Sequence, residues 1–344
     1  MTFPKLAKGS TSINHASHFL SLRPCLVKAE SHRNPTPIMD TRGVRSAKLM
    51  AVVTVLLAGP CFCQPQAAPT WPSAVAYAAK LAPEARIVVL DTATGHLMAA
   101  THLAESARTL ASPGSTLKPL VLYGLVTSNH WDPSRRIACN RQLRITGRSL
   151  NCSHPPTGPM DARQALAWSC NTYFAAVAGG LAPGELRALL TSTGLLAQTG
   201  LAPTEATAVF HDPQTPDANR LALLGVEGVL VTPLELATAY RWLALQLAAH
   251  PGSAAAQVVR EGLQDSASFG TAGAAALGGI SIAGKTGTAS SATGAQTHGW
   301  FIGFAPSSAP RAIIAVYVPA GHGADAARIA AELLAHSPLR QPQP

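Results

Sequence analysis

Apolar runs bounded by turn-forming residues mark both ends of the chain, a pattern typical of β-strands. Five such runs lie at 86–91, 97–101, 279–284, 299–305 and 311–318. The first two are joined by the sequence Thr-Ala-Thr-Gly, so they are predicted to form a β-hairpin. A helix is predicted to follow the last strand, at about 324–336.

The middle of the chain has the apolar spacing of helices. Helical stretches are predicted at 115–129, 161–178, 183–192 and 233–249. Asp161 and Pro233 are typical helix starts. This order predicts an α+β fold: one antiparallel sheet, built from both chain ends and flanked by helices, with an inserted all-helical region. The sheet region is expected at about 84–114 and 275–340, and the helical region at about 115–274.

An N-terminal targeting segment is predicted ahead of this domain, which spans 84–340. From Met39, a short basic stretch leads into about 15 apolar residues at 49–63, the pattern of a signal peptide. This run is too short to cross a bilayer comfortably, so 1–63 is interpreted as an N-terminal extension and signal peptide. Met39 is the expected true start. Residues 64–83 are predicted to be a linker, because their first part is rich in Pro, Ala and Gln.

Composition and charge restrict the class of protein. The chain has 344 residues, 47% of them hydrophobic and 12% charged, which excludes intrinsic disorder. Its net charge of +9 is concentrated in 1–63, which holds 8 Lys/Arg against 2 Asp/Glu. The remainder has no basic patch, so no nucleic-acid partner is expected. The signal-like segment predicts an extracytoplasmic domain, periplasmic or secreted, with membrane association only through that segment if it stays uncleaved as an inner-membrane anchor.

Two cysteines frame a predicted hairpin in the helical region. Cys139 and Cys152 flank an alternating stretch with Thr146-Gly147 near its middle. Such a pair could form a disulfide in an oxidising compartment. A zinc site of Cys139, Cys152 and His154 is an alternative, although the paired Cys-x2-Cys spacing of structural zinc sites is missing. Two free thiols are the third interpretation.

Only three lysines follow the N-terminal segment: Lys80, Lys118 and Lys285. Lysine, unlike arginine, can lose its proton when it is desolvated. Ser115 precedes Lys118 by three residues, so on a helix both would lie on one face, about a turn apart. A neutral amine there could take the hydroxyl proton and make Ser115 a nucleophile. Alone, this spacing is more often a solvated lysine with an N-cap serine.

Two further motifs are weak when each is taken by itself. Ser-Cys-Asn at 169–171 lies in a predicted helical stretch. Lys-Thr-Gly-Thr at 285–288 follows an apolar run and is predicted to end a strand. Gly287 would remove a side chain where another backbone or a ligand approaches. A plain edge strand with a turn at Gly287 is the simpler interpretation.

Together, the order and spacing of the three motifs resemble those of the active-serine penicillin-recognising enzymes. Ser-x-x-Lys is followed 54 residues later by Ser-x-Asn, and Lys-Thr-Gly begins 116 residues after that. Further stretches are similar to the penicillin-binding protein transpeptidase domain: 87–99, 110–126, 228–240, 284–290 and 298–306. The resemblance covers about 84–336. It implies a sheet-containing region beside an all-helical region, with the site in the crevice between them.

This resemblance implies an acyl-serine D,D-transpeptidase or D,D-carboxypeptidase acting on D-Ala-D-Ala peptidoglycan stems. Ser115 would be the nucleophile and Lys118 its general base. Ser169 would relay a proton towards the leaving amine, and Lys285 would help to hold that hydroxyl and supply positive potential. Asn171 would bind a substrate amide and orient Lys118. No cofactor and no metal are expected.

Substrate binding is assigned by the same resemblance to the Lys-Thr-Gly-Thr motif. The hydroxyls of Thr286 and Thr288 would hold the terminal carboxylate, with Gly287 between them. The backbone N–H groups of Ser115 and Thr288 would form the oxyanion hole. Peptidoglycan stem peptides are the expected partners, and β-lactams the expected inhibitors.

Two alternatives remain open at this point: a serine β-lactamase and a non-catalytic β-lactam or peptidoglycan sensor module. Five acids lie between 172 and 230, and none is followed four residues later by Asn, as in the loop of class A β-lactamases. This disfavours efficient β-lactam hydrolysis. The motifs do not separate a transpeptidase from a carboxypeptidase.

Overall fold

The computed structural model of the protein describes residues 68–290, 294 and 296–340. The signal-peptide prediction at 1–63 lies outside the described residues. Within them, no helix combines the length and the apolar character needed to cross a membrane.

Nine strands are formed by the described residues. They are β1 (Arg86–Asp91), β2 (Leu97–Ala100), β3 (Arg144–Ile145), β4 (Arg148–Ser149), β5 (Val209–Phe210), β6 (Val229–Leu230), β7 (Ala283–Ser290), β8 (Thr297–Ala305) and β9 (Ala312–Val318). The same residues form ten α-helices. These are α1 (Trp71–Leu81), α2 (Leu103–Arg108), α3 (Lys118–Thr127), α4 (Ala162–Ala167), α5 (Asn171–Ala178), α6 (Glu185–Ser192), α7 (Pro216–Leu223), α8 (Pro233–Ala249), α9 (Ala254–Ser268) and α10 (Gly323–Ala335).

A five-stranded antiparallel sheet joins the two ends of the described chain, in the order β2-β1-β9-β8-β7. Strand β1 lies beside β9, with Arg86 opposite Tyr317 and Asp91 opposite Ala312. Strand β7 forms one edge and pairs with β8. The α+β fold, with a sheet built from both chain ends and a helical region between them, is therefore confirmed.

Both faces of the sheet are covered, because side chains that alternate along β1 enter two different hydrophobic cores. Ile87 and Val89 face a core that also contains residues of α1 and α10. Val88 and Leu90 face the opposite way, into a core shared with the helical region. Because water reaches neither face, the central strands are apolar at nearly every position.

Helix α9 connects the helical region to the edge of the sheet. It packs against α3 and α4 on one side and against β7 on the other. Gly262 permits the close contact with α4, since a Cβ there would lie 2.9 Å from Cδ2 of Leu166. Just after α9, the amide of Thr271 donates to the carbonyl of Ala167 at 3.1 Å. The end of α4 and the strand β7 are thereby held close to each other, and the region between them is called the crevice below.

Most of the predicted elements are confirmed to within a few residues. These are the hairpin at 86–101, the strands at 299–305 and 311–318, and the helices at 183–192, 233–249 and 324–336. The stretch predicted as a helix at 115–129 begins as a 3-10 turn, Gly114–Leu117, and continues as α3.

Three expectations differ from the structure. The single helix predicted at 161–178 is two helices, α4 and α5, because Ser169 has a left-handed backbone with φ 55°. The strand predicted at 279–284 begins later, and β7 contains the whole Lys-Thr-Gly-Thr motif. The predicted linker at 64–83 includes α1, which starts with a capping box at Thr70 and packs against α10. This part of the linker therefore belongs to the sheet region.

Candidate active site

Ser115 lies in the 3-10 turn that leads into α3. Gly114 has φ 55°, a conformation that favours glycine, and its amide donates to the carbonyl of Gly225 at 2.9 Å. The backbone N–H of Lys118 donates to the carbonyl of Ser115, so the two residues share one turn. Ser115 is partly exposed, and its hydroxyl makes no hydrogen bond with any described residue. The turn thus presents a free hydroxyl beside a lysine.

Lys118 is fully buried, and all of its donors are used within the protein. Its Nζ donates to the carbonyl of Ser169 at 2.9 Å, to Oγ of Ser169 at 3.2 Å and to Oδ1 of Asn171 at 2.6 Å. Burial lowers the pKa of Lys118 from 10.5 to about 8. A lysine with this pKa is partly neutral near neutral pH, so it can act as a base.

The turn at 168–170 carries the second motif into the crevice. Helix α4 starts with a capping box at Asp161, and the chain then reverses through the left-handed Ser169. Cys170 caps α5, since its Sγ accepts the N–H of Tyr173. Asn171, the first residue of α5, donates from Nδ2 to the carbonyl of Leu150 at 3.0 Å. This bond orients the Asn171 amide oxygen towards Lys118.

Strand β7 lies directly against the Ser115 turn, and Gly287 makes this contact possible. A Cβ at Gly287 would lie 2.6 Å from the carbonyl oxygen of Pro113 and 3.5 Å from the amide nitrogen of Ser115. A Cβ at Gly114 would lie 3.3 Å from the amide nitrogen of Thr288. The two amides expected to form an oxyanion hole are therefore on facing sides of one close backbone contact.

Lys285 is the second fully buried lysine of the crevice. Its Nζ donates to Oγ1 of Thr271 at 3.1 Å and to the carbonyl of Thr286 at 3.0 Å. Burial first, and then the nearby charge of Lys118, lower its pKa well below the usual value of 10.5. Neither lysine is paired with a carboxylate of the described residues, so the crevice has a positive potential when either is protonated.

The two threonines of the third motif have different surroundings. Thr286 is buried, and its hydroxyl donates to the carbonyl of Thr271 at 3.2 Å. Thr288 is exposed, and its Oγ1 accepts the N–H of Gly323 at 2.9 Å. No described residue accepts the hydroxyl hydrogen of Thr288, so this hydrogen is available for a ligand. The proposed carboxylate contact fits Thr288, whereas the Thr286 hydroxyl is already used inside the protein.

The Ser115 turn is also fixed to the middle of the sheet. The carbonyl oxygen of Ser112 accepts hydrogen bonds from Nε2 of His298 at 2.8 Å and from Nε1 of Trp300 at 3.0 Å. Burial lowers the pKa of His298, so the ring stays neutral while it donates. From α8, the hydroxyl of Tyr240 donates to the carbonyl of Thr116 at 2.8 Å. The turn is thus held from the sheet and from the helical region at once.

Comparison with known proteins now adds to this geometry. The family model described as penicillin binding protein transpeptidase domain matches residues 85–336. The chain belongs to this family. A comparison with curated proteins finds no match.

Solved structures show the same fold at low sequence identity. The apo transpeptidase domain of Burkholderia pseudomallei penicillin-binding protein 3 has a TM-score of 0.67 at 20% identity, covering 78% of this chain and 95% of that one. The D,D-transpeptidase domain of a peptidoglycan glycosyltransferase from Eggerthella lenta has a TM-score of 0.66 at 20% identity. The match covers 77% of this chain and 80% of that one. Pseudomonas aeruginosa PBP2 in complex with WCK 5153 has a TM-score of 0.65 at 22% identity. The match covers 76% of this chain and 75% of that one.

Within this transpeptidase domain, the structure brings four predicted site residues into direct contact or into one turn: Ser115, Lys118, Ser169 and Asn171. The Lys-Thr-Gly-Thr strand joins them through Gly287. One predicted contact is different: the Lys285 amine is bonded to Thr271 and Thr286 and not to the Ser169 hydroxyl.

Sequence reasoning missed two groups that shape the transpeptidase site. Thr271 accepts from Lys285 with its hydroxyl and from Thr286 with its carbonyl, and it lies in an Ala/Gly-rich stretch without a motif. His298 is the second, since it is 3% exposed and its Nε2 bonds to the carbonyl of Ser112. Its place two residues before Trp300 on a strand was the available signal, because alternate residues share a face.

The predicted hairpin between Cys139 and Cys152 is present as β3 and β4. Thr146 and Gly147 both have positive φ, at 47° and 82°, as a two-residue hairpin turn requires. The two sulfurs are 3.6 Å apart, and both cysteines are free thiols in this structure.

Proposed function

We propose that the protein is an extracytoplasmic acyl-serine enzyme that acts on the D-Ala-D-Ala end of peptidoglycan stem peptides, as a D,D-transpeptidase or D,D-carboxypeptidase. Membership of the transpeptidase family supports acyl transfer as the class of reaction. The signal-like sequence at 49–63 supports a location outside the cytoplasm. Stem peptides would be its substrates, and β-lactams would be its covalent inhibitors.

The observation that carries this proposal is the environment of Lys118. Its amine is buried, has a pKa of about 8, shares a turn with Ser115 and contacts the hydroxyl of Ser169. A structural lysine would gain stability from a carboxylate partner, and Lys118 has none among the described residues. An amine that is kept partly neutral, bonded to the hydroxyl of Ser169 and in the same turn as Ser115, is suited to proton transfer.

Acylation would use these groups in order. The neutral amine of Lys118 takes the proton of Ser115 as Oγ attacks the carbonyl carbon of the D-Ala-D-Ala bond. The N–H groups of Ser115 and Thr288 stabilise the oxyanion, an effect typically worth about 3 kcal/mol per donor. As the C–N bond breaks, Ser169 passes the proton from Lys118 to the departing D-Ala amine. The product is an ester between the stem peptide and Ser115.

Substrate orientation would come from the opposite side of the crevice. The hydroxyl of Thr288 would donate to the terminal carboxylate, and the positive potential of Lys285, when protonated, would favour the same anion. Asn171 keeps Lys118 in place and would accept or donate a bond to the substrate backbone. Deacylation then transfers the peptide to an amine of a second stem or to water.

The acids of the helical region favour this function over β-lactam hydrolysis. Each of the five acids between 172 and 230 is bonded to a partner away from Ser115: Glu185 to His130, Glu205 to Thr199, Asp212 to Arg187, Asp217 to Arg220 and Glu227 to Arg148. Class A β-lactamases hydrolyse their acyl-enzyme rapidly by means of a glutamate that activates water. None of these five carboxylates makes a hydrogen bond or ion pair with a described residue of the three motifs.

Covalent labelling with a fluorescent penicillin tests the proposal. The wild-type protein should be labelled, and Ser115→Ala should abolish the label. Ser128→Ala is the matched control, because Ser128 is an exposed serine at the end of α3. Labelling that survives in Ser115→Ala would refute the assignment of the nucleophile. Many cycles of nitrocefin turnover, in place of one slow burst, would indicate a β-lactamase, and reversible binding without a covalent adduct would indicate a sensor.

A further inference from the structure

Four metal-binding side chains meet behind the second motif. Cys139, Cys152 and His154 come from the β3–β4 hairpin and its flanks, and Cys170 comes from the turn between Ser169 and Asn171. Their three sulfurs and one ring nitrogen all lie within 4.8 Å of one another. The zinc alternative that the sequence offers contains three of these residues, and the structure adds Cys170 as the fourth.

Three of the six separations between these atoms match those of a tetrahedral zinc site, and all six are within 4.8 Å. Zinc binds sulfur at about 2.3 Å and nitrogen at about 2.0–2.1 Å, so ligand atoms at tetrahedral corners are about 3.8 Å apart for two sulfurs and about 3.6 Å for sulfur and nitrogen. Cys139 and Cys152 have their sulfurs 3.6 Å apart, and Cys152 and Cys170 have theirs 3.8 Å apart. Nε2 of His154 is 3.6 Å from the sulfur of Cys139.

The histidine is oriented as a ligand. Nδ1 of His154 is 2.7 Å from the carbonyl oxygen of Pro155, which can only accept, so Nδ1 carries the hydrogen. The lone pair of Nε2 then faces the three sulfurs. A metal-bound histidine ordinarily uses its other nitrogen in this way, to fix the tautomer and the ring plane. His154 is only 2% exposed, so its orientation is not explained by contact with solvent.

The three sulfurs also accept hydrogen bonds of the kind that stabilise metal-bound thiolates. Each accepts a backbone N–H: Cys139 from Arg141 at 3.3 Å, Cys152 from Asn171 at 3.1 Å and Cys170 from Tyr173 at 3.5 Å. Such hydrogen bonds to ligand atoms belong to the outer layer of metal sites. A Cys139–Cys152 disulfide requires the sulfurs to move to about 2.05 Å, and it would leave Cys170 and His154 without a role.

We propose that Cys139, Cys152, His154 and Cys170 bind one structural zinc ion. Four protein ligands fill the tetrahedral coordination, so the ion has no open position for water or substrate. The ion would affect the reaction only indirectly, by fixing the position of residues that contact Lys118. Cys170 stands between Ser169 and Asn171, the two residues that contact the amine of Lys118. The ion would therefore fasten the left-handed turn of the second motif to the β3–β4 hairpin.

Metal content tests this directly on the full-length protein, purified without chelator and without reductant. About one zinc ion per chain is expected by elemental analysis. His154→Ala should weaken zinc binding by about a hundredfold or more in competition with a chromophoric chelator, whereas His154→Cys, which keeps four ligands, should retain the ion. His250→Ala, at an exposed histidine outside the cluster, should match the wild type.

Cobalt supplies a second measurement that does not depend on a variant folding well. Replacing zinc with Co²⁺ in the wild-type protein should give thiolate-to-cobalt charge-transfer bands and the visible spectrum of a tetrahedral ion. Removing the metal should lower the melting temperature and slow acylation by penicillin, and adding Zn²⁺ should restore both. These readouts would still report the site if the protein acted on a different acyl substrate.

Three results would overturn the proposal. The first is a metal-free protein with a disulfide mapped between Cys139 and Cys152. The second is a metal-free protein whose thiols all react freely and whose melting temperature is unchanged by Zn²⁺. The third is zinc that His154→Ala and Cys170→Ser both bind as tightly as the wild type, since the ion would then lie elsewhere.

Discussion

The two walls of the crevice hold their reactive groups by different means. The sheet wall, formed by β7 and the turn at 112–117, is fixed by backbone atoms that touch where Gly287 lacks a side chain. The helical wall, formed by Lys118 and the turn at 168–171, is fixed by polar side chains that bond to one another. The sheet wall is therefore expected to be sensitive to added atoms, and the helical wall to the loss of particular polar groups.

Lys118→Met should have the largest effect on the helical wall. Losing a general base ordinarily slows a reaction by 10² to 10⁴-fold, so acylation by penicillin should fall by about 10³-fold. The free energy of unfolding should change little, because relief from burying an amine without a carboxylate offsets the loss of its three hydrogen bonds. Stopped-flow acylation and urea unfolding measure the two effects.

The control for this variant is Lys80→Met, since Lys80 is exposed on α1. It should acylate at the wild-type rate. If Lys118→Met kept a rate within threefold of the wild type, the base would have to be another group.

Gly287→Ala should be the most damaging small change on the sheet wall. Its Cβ would lie 2.6 Å from the Pro113 carbonyl, so β7 and the Ser115 turn must separate. We expect acylation about 100-fold slower and an unfolding free energy lower by about 1–3 kcal/mol. Gly158→Ala is the matched control, because a Cβ at Gly158 meets no atom within 4 Å. Equal behaviour of the two variants would contradict the close contact.

Asn171→Ala should have an intermediate effect. It removes the acceptor of Lys118 and the donor to Leu150, and hydrogen bonds to charged groups are worth about 1.5–3 kcal/mol. Acylation should slow by roughly 10- to 100-fold with little change in penicillin affinity before acylation. Asn219→Ala, within α7, serves as the control. A loss of initial binding without a slower chemical step would show that Asn171 contacts the ligand instead of orienting Lys118.

The pH profile should show the smallest and most specific effect. The base must be neutral, and burial lowers the pKa of Lys118 to about 8. The acylation rate should therefore rise about tenfold per pH unit below pH 8 and level off above it. Rates measured from about pH 6 to pH 9 test this. A profile that is flat throughout, or that falls as the pH rises, would remove Lys118 from the role.

The sequence predicts elements well where packing alone decides them. Strand β9 is apolar at every position because both faces of the sheet are buried. The start of α8 is predictable because Thr232 is a typical N-cap and Pro233 a typical first helical residue. The spacing of Ser115 and Lys118 also follows from local helix geometry. These features need no knowledge of distant parts of the chain.

The rest depends on contacts that no local pattern contains. The helix break at Ser169 is a left-handed residue in an Ala-rich stretch, and it is held by Lys118, 51 residues away. Strand β7 consists mostly of small and hydroxyl residues, so it lacks an apolar strand pattern and is defined by the turn packed against it. Cys170 joins Cys139 and Cys152 only after the hairpin folds back on α5.

The pairing of β1 with β9 has a consequence for the order in which the molecule matures. Strand β1 is synthesised well before its central neighbour, β9, which follows it only after the whole helical region and two further strands of the sheet, β7 and β8. Until β9 is made, β1 has no neighbour on its inner edge, and β8, which holds the Ser115 turn through Trp300, has no complete sheet to join. A nascent chain stopped before Ala312 should therefore be inert towards penicillin, so reactivity is acquired only after β9 has been synthesised.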